Sequence, residues 1–159
     1  MSDRKLKYLE YLEKFPDCPC VKEYEVVEME AYRWVKRQEG RDDFIPMNLT
    51  KDPPQRILDD SDQMCKGFGL SMFLTLRHAI LRYQKSLKKF RTHARPQKIE
   101  DYGREIALLY LDREDGIAGD FNSDSGHFTF HEYEGVELTD KIKQIFNIFD
   151  ENGEFVIYQ

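Results

Sequence analysis

Several features that would assign this 159-residue sequence to a common class are missing from it. No run approaches the roughly 18 consecutive apolar residues of a membrane-spanning helix, so we expect no membrane anchor. The charged N-terminus lacks the apolar core of a signal peptide, which predicts that there is no secretory leader. Neither a phosphate-binding Gly-x-x-x-x-Gly-Lys loop nor a Gly-x-Ser-x-Gly nucleophile elbow occurs. No common motif therefore assigns a function.

Cysteine is scarce as well, with only Cys18, Cys20 and Cys65. An odd number of cysteines without a signal peptide is typical of reduced thiols, so we predict a cytoplasmic protein. Cys18 and Cys20 are separated by a single proline, and two such thiolates do not complete a zinc site, which needs four ligands or three and a water. We therefore predict loop cysteines and no metal.

Acidic residues are absent from one long stretch, although the whole chain has a net charge of −6. Residues 63–99 hold nine lysines and arginines and no acid, whereas residues 100–159 hold four basic and 15 acidic residues. Residues 1–62 are mildly acidic, with 11 basic and 15 acidic residues. The acidic total argues against a general nucleic-acid binder, while the basic stretch produces a local positive field.

What is present indicates one α+β domain over residues 1–159, with a small, mostly antiparallel sheet and three or four helices. Hydrophobic residues make up 40% of the chain and aromatic residues 13%, which is enough for a packed core. The apolar spacing predicts helices at 3–15, 74–92 and 139–149, a short helical turn at 98–102, and strands at 126–133 and 154–158. A shift of apolar parity within 23–37 predicts a bulge or two short strands.

Residues 38–66 form a separate problem, because they contain three prolines and little periodicity. A connection of nearly thirty residues is uncommon in a compact domain and is usually functional or mobile. We predict a long irregular loop whose middle is anchored to the core by Phe44, Ile45 and Met47.

The helix predicted at 74–92 is amphipathic, with its apolar residues on one stripe. Arg82, Lys85, Lys88 and Lys89 lie on the opposite side, and Arg91 is near its edge. Such cations form either an ordinary solvated face or a docking surface. Our leading hypothesis is a small non-catalytic interaction protein (an inhibitor, an immunity-type protein or an accessory subunit). It would bind a protein partner, for which an acidic surface is suited, through this face and the 38–66 loop, without a cofactor. We expect no nucleic-acid partner, because no aromatic residues interleave with these cations.

Two histidines are spaced four residues apart, at His127 and His131. The alternation around them indicates a strand, which separates them by roughly 13 Å at about 3.3 Å per residue. They are therefore too far apart to share a metal ion, and we predict a partly exposed strand-face role for both.

One order of residues points to an alternative function. Arg33 precedes Ser71, and both precede the pair Glu132 and Glu134. This order resembles that of one class of ADP-ribosyltransferases, which use NAD. The resemblance implies that Arg33 binds a phosphate of NAD and that Ser71 steadies the nicotinamide side. It also implies that Glu134 stabilises the oxocarbenium-like centre and that Glu132 orients the acceptor.

Overall fold

A computed structural model describes residues 4–15, 18 and 23–158. It confirms the α+β class, because one antiparallel sheet is packed against helices on the same chain. The described helices are α1 (Leu9–Leu12), α2 (Met47–Thr50), α3 (Gln55–Leu58), α4 (Ser61–Lys66), α5 (Leu76–Lys88) and α6 (Arg95–Tyr102). The strands are β1 (Glu25–Val26), β2 (Met29–Val35), β3 (Leu70–Phe73), β4 (Glu105–Leu111), β5 (Gly116–Gly119), β6 (His127–Glu132) and β7 (Ile142–Asn147).

The seven strands lie in the order β1-β5-β6-β3-β2-β4-β7, and all neighbouring pairs are antiparallel. β2 pairs with β4 along its whole length. In contrast, β2 and β3 share only the pair Tyr32 and Phe73. The two central strands therefore diverge on either side of this pair, and backbone groups there need other hydrogen-bond partners.

One side of the sheet, here called the helix side, is covered mainly by α5. The Thr75 hydroxyl caps this helix by accepting from the backbone N–H of His78 at 3.0 Å. Tyr83 is fully buried there and donates its hydroxyl to the Gly103 carbonyl at 2.7 Å. The helix lies within the predicted range of 74–92, which confirms that prediction. The buried residues of the helix side are Phe73, Ala79, Ile80, Tyr83, Leu87, Ile106 and Ile148.

The opposite side, here called the loop side, is covered by less regular chain. Its sheet residues are mostly aliphatic or phenylalanine, and segments from several parts of the sequence pack over them. Its buried residues include Leu6, Leu12, Ala31, Phe44, Met64, Cys65, Met72, Leu109, Phe128, Phe130 and Leu138. The sheet is therefore buried on both sides, but by different kinds of structure.

The prediction of reduced thiols is wrong. Cys18 and Cys65 form a disulfide, with Cα atoms 5.8 Å apart and both residues buried on the loop side. They are 47 positions apart in sequence, so local spacing carried no sign of the pairing. Neither residue offers a free thiolate to a metal in this state, and Cys20 lies outside the described residues.

The C-terminal helix predicted at 139–149 is also wrong. A short 3-10 turn at Leu138–Lys141 leads into β7, which pairs with β4 from Ile142 to Asn147. The apolar spacing in this segment fits a helix, but the exposed edge of β4 offers backbone partners that favour a strand. The predicted strand at 154–158 is reduced to an isolated bridge between Phe149 and Phe155.

The N-terminal half departs from the predictions at two places. The predicted helix at 3–15 is only the single turn α1, and Leu6 instead bridges to Tyr133 at the end of the sheet. The irregular segment 38–66 contains the short helices α2, α3 and α4. Phe44 is buried as expected, but the Met47 side chain is 57% exposed. The predicted break within 23–37 is confirmed, because β1 and β2 are separate strands.

Candidate functional site

The predicted docking cations form one surface, here called the basic face: Arg82, Lys85, Lys88, Lys89 and Arg91. Lys85, Lys88, Lys89 and Arg91 are exposed, and Arg82 is half-buried. The apolar stripe of α5 packs on the helix side, so helical geometry turns the cations outward. Apart from Arg91, which follows the helix, the basic face is therefore carried by well-anchored α5 and its C-cap.

Among the described residues, the cations of the basic face lack the carboxylate partners that some of the other basic residues have. Six lysines and arginines elsewhere form ion pairs with carboxylates: Lys7, Arg37, Lys66, Lys98, Arg104 and Lys141. No residue of the basic face has a carboxylate within 4.0 Å in the described part of the chain. The positive charge of this face is thus left for solvent or for a partner to balance.

Arg33, predicted to bind a phosphate of NAD, lies on β2 near the divergence from β3. Its Nε and Nη2 atoms donate to the Asp43 carbonyl at 3.0 and 2.8 Å, and Nη1 donates to the Ser71 carbonyl at 2.8 Å. Burial lowers the pKa of Arg33 to about 10, although Asp43, Glu132 and Asp42 act in the opposite direction. The guanidinium therefore links β2 to β3 and to the loop after β2. It does so at the place where β2 and β3 lack backbone hydrogen bonds to each other.

Ser71 lies on β3 and its side chain is exposed. Its Oγ is 3.0 Å from Nε2 of His127, at the start of β6. The imidazole also packs edge-on against Phe73, with ring centroids 5.6 Å apart. The register of β3 and β6, which pairs Phe73 with His127, brings the serine and the histidine together diagonally.

The environment of His127 favours a neutral ring. Burial lowers the pKa of His127 below its usual 6.5, and the charges of Arg82 and Lys66 lower it further. Asp120 acts in the opposite direction, but its carboxylate is ion-paired with Lys66 at 2.9 Å. At neutral pH, His127 can therefore accept a proton from a neighbouring hydroxyl.

The second histidine of this strand is in a different setting. His131 is 3% exposed and packs against the Tyr24 ring at 5.6 Å. Its Nε2 atom has no hydrogen-bond partner among the described residues, and desolvation lowers its pKa to about 4. His131 is therefore a neutral core residue rather than a partly exposed one.

Neither predicted glutamate is placed beside the Ser71 hydroxyl. Ser71 pairs with Thr129, and Glu132 lies three residues further along β6, so strand alternation puts its carboxyl on the loop side. Glu132 is 3% exposed, and burial raises its pKa to about 7, although Lys7 opposes this with Nζ 3.6 Å from Oε1. Glu134 is exposed, and its backbone N–H donates to the Lys5 carbonyl at 2.7 Å.

The structure thus joins Arg33 to the backbone of Ser71 and joins the Ser71 side chain to His127 instead of to a glutamate. The contact between His127 and Ser71 was not predicted from the sequence. The alternating pattern of β6 predicts which side of the strand His127 occupies. Which residue it contacts there depends on the register between β6 and β3, which no local pattern reveals.

The described residues contain no helix that is both long and apolar enough to cross a membrane. Among the same residues, no three His, Cys, Asp or Glu side chains are grouped so that they could hold one metal ion. Comparison with protein-family models, with curated proteins and with solved structures found no match to this chain.

Proposed function

We propose that this protein is a small non-catalytic interaction protein that binds an acidic protein partner through the basic face of α5. One observation carries the proposal: five cations are clustered on α5 and the three residues after it, and none of them has a carboxylate partner in the described part of the chain. A surface of one sign attracts a complementary surface, speeds the encounter and excludes partners of like charge.

The placement of the basic face suits binding by a rigid surface. Ile80, Tyr83 and Leu87 anchor the helix in the core, so little backbone ordering is needed when a partner docks. Lys88 is in the last turn of α5 and Lys89 caps it, where cations are stabilised by the helix dipole without any carboxylate. Charge can therefore be concentrated here without a counter-charge on the same chain.

Charge reversal tests this proposal. The variant Lys85→Glu, Lys88→Glu, Lys89→Glu is used as bait in affinity capture from the native host lysate, with identification by mass spectrometry. We expect the protein captured by the wild type to be lost. A matched control reverses three exposed cations elsewhere, Lys51, Arg113 and Lys143, and should retain the partner. Equal capture by both variants contradicts the proposal, as does a signal that disappears after nuclease treatment.

A cytoplasmic location remains a prediction, and the disulfide between Cys18 and Cys65 counts against it. Disulfides persist mainly in oxidising compartments and are rare in the cytosol. Thiol trapping tests the location: cells are lysed in acid, free thiols are alkylated and the intact mass is measured. Three alkylated cysteines support a reducing compartment, whereas one alkylated cysteine supports an oxidising one.

A second candidate is the NAD-dependent ADP-ribosyltransferase-like activity. The specific observation in its favour is the 2.8 Å hydrogen bond from Arg33 to the Ser71 carbonyl, which brings together two residues of the resemblance. Under this proposal the nucleotide occupies the place where β2 and β3 diverge. To bind a phosphate of NAD, the Arg33 side chain would have to leave the Asp43 carbonyl.

The NAD proposal makes a simple prediction. If NAD binds the folded state alone, it raises the melting temperature by mass action, by about 2.7 kcal/mol of stability at one hundred times Kd. Release of nicotinamide measures turnover. We expect Arg33→Lys and Ser71→Ala to weaken both signals and Ser61→Ala, at an exposed serine on α4, to leave them unchanged. An unchanged melting temperature at millimolar NAD excludes this candidate.

A further inference from the structure

We propose that Ser71 and His127 form a nucleophile–base pair that cleaves a small ester carrying a negative charge. This activity goes beyond partner binding by the basic face, with which it shares Arg82, and it replaces the non-catalytic part of that proposal. It also assigns Ser71 a different role from the one expected with NAD. The inference begins with geometry: the Ser71 Oγ and His127 Nε2 atoms are 3.0 Å apart, which is the reach required of a nucleophile and its general base.

The two residues are presented differently to solvent. Ser71 is exposed, so an incoming carbonyl carbon can approach its hydroxyl. His127 is half-buried and held against Phe73, so its ring has a defined orientation. The pair is mounted on adjacent inner strands, and the Ser71 carbonyl is held by the Arg33 guanidinium at 2.8 Å. Sites on strands hold their geometry better than sites on loops.

Charges from three elements act on the His127 ring. Arg82 on α5 and Lys66 on α4 disfavour its protonation, while Asp120, which follows β5, favours it. Lys66 is neutralised by Asp62 and Asp120 at 2.8 and 2.9 Å. Arg82 has no such partner among the described residues, so its charge at the His127 ring is not neutralised by a carboxylate.

The proposed chemistry is ester hydrolysis through an acyl-enzyme. Ser71 Oγ attacks the ester carbonyl carbon, and its proton moves to His127 Nε2. The C–O bond to the alcohol then breaks, and His127 returns the proton to the departing oxygen. Water next attacks the acyl-serine, His127 takes one proton from the water, and that proton restores the Ser71 hydroxyl as the acid leaves. The sum is ester and water giving acid and alcohol.

The substrate class follows from the surroundings. An exposed serine on a sheet face suits a small ester. The positive potential from Arg82 favours the oxyanion that develops on the attacked carbonyl and also a carboxylate on the substrate. We therefore expect 4-nitrophenyl hemisuccinate to react faster than neutral 4-nitrophenyl acetate, and the advantage to shrink as salt is added.

Covalent labelling tests the pair directly. The full chain is treated with a fluorophosphonate, and the modified peptide is identified by mass spectrometry. We expect the label on Ser71 and not on Ser61, which is also exposed but is not paired with a histidine. His127→Gln keeps a hydrogen-bonding side chain without a proton-accepting nitrogen of suitable basicity. It should slow labelling and hemisuccinate hydrolysis by about 100-fold or more.

Several outcomes separate this proposal from a structural hydrogen bond. In the wild type, the labelling rate should already be near its plateau at pH 7 and should fall in acid as His127 becomes protonated. Loss of hydrolysis in Ser71→Ala, with circular dichroism unchanged, supports the nucleophile. No label on Ser71, equal labelling of Ser61, or a labelling rate that is the same in His127→Gln overturns the proposal.

Discussion

The helix side and the loop side bury the same sheet by different means. On the helix side, Tyr83 makes ring contacts with Trp34, Tyr102, Phe149 and Phe155 at centroid distances of 5.1 to 6.1 Å. On the loop side, one disulfide and the half-buried side chain of Arg33 hold irregular chain in place. A regular helix satisfies most of its own backbone groups and is held mainly by packing, whereas irregular segments satisfy few of theirs and need more specific ties.

The largest effect should come from the centre of the helix side. Tyr83→Ala removes a fully buried ring and its hydrogen bond to the Gly103 carbonyl, which should cost about 3 to 5 kcal/mol of unfolding free energy. Urea denaturation followed by circular dichroism measures this cost. Tyr110→Ala, at a tyrosine that is 38% exposed, is the control and should cost much less. Similar losses for both variants would show that the helix side is not the dominant core.

The loop side should depend on its disulfide. Cys65→Ala removes the link to Cys18, and loss of a native disulfide typically costs about 2 to 5 kcal/mol. We expect a value within this range, with Cys20→Ala, which keeps both linked cysteines, close to wild type. Adding a reductant should lower the midpoint of the wild type and leave that of Cys65→Ala unchanged. A wild-type midpoint insensitive to the reductant contradicts this account.

A smaller effect, also on the loop side, should depend on pH. The pKa of Glu132 is about 7 in the folded protein, against an ordinary value of 4.5, so the folded state holds this proton more tightly. Stability contributed by the protonated carboxyl is therefore complete below about pH 4.5 and is lost as the pH rises through 7. We therefore compare the unfolding free energy of Glu132→Gln with that of wild type at each pH. The difference should favour the variant by on the order of 1 to 3 kcal/mol more at pH 8 than at pH 4.5.

The difference in stability between wild type and Glu132→Gln reports on this carboxyl alone, because His127 and His131 titrate in both proteins. Stability curves collected in urea at several pH values provide the measurement. A wild-type and a Glu132→Gln curve that run parallel from pH 4.5 to pH 8 would mean that Lys7, at 3.6 Å, keeps Glu132 ionised throughout.

The smallest effect on stability should come from the outer surface of α5. Reversing Lys88 and Lys89 to Glu breaks no ion pair among the described residues, so each change should cost about 0.5 kcal/mol or less through the helix dipole. Thermal unfolding checks this. A large loss of stability would show that the basic face serves the fold and would remove the basis for using it as a docking surface.

The contrast between regular helix and structure that depends on distant chain also explains what could be predicted from the sequence. The helix α5 was predictable because Ile80, Tyr83 and Leu87 repeat with helical period and all pack on one sheet. β7 was not, because Ile142, Ile145 and Phe146 fit a helix equally well and only the free edge of β4 decides the outcome. The local pattern is enough to predict α5, whereas the formation of β7 depends on residues of β4 that are more than thirty positions away.

The candidate sites divide in the same way. The basic face was predictable because its cations lie on α5 or within three residues of its C-terminal end. The contact between Ser71 and His127 joins residues 56 positions apart, and the link between Cys18 and Cys65 spans 47. Arg33 and Ser71 were selected by their order in the sequence. Their hydrogen bond arises because β2 and β3 are neighbours that pair at only one position.

The disulfide has a consequence for how the protein behaves once its chain is cut. Lys51 and Arg56 are exposed and lie between Cys18 and Cys65, so trypsin can cleave inside the covalent ring. The two resulting polypeptides stay attached through sulfur. A nicked sample therefore runs as one species on a denaturing gel without reductant and separates into two bands once a reductant is added.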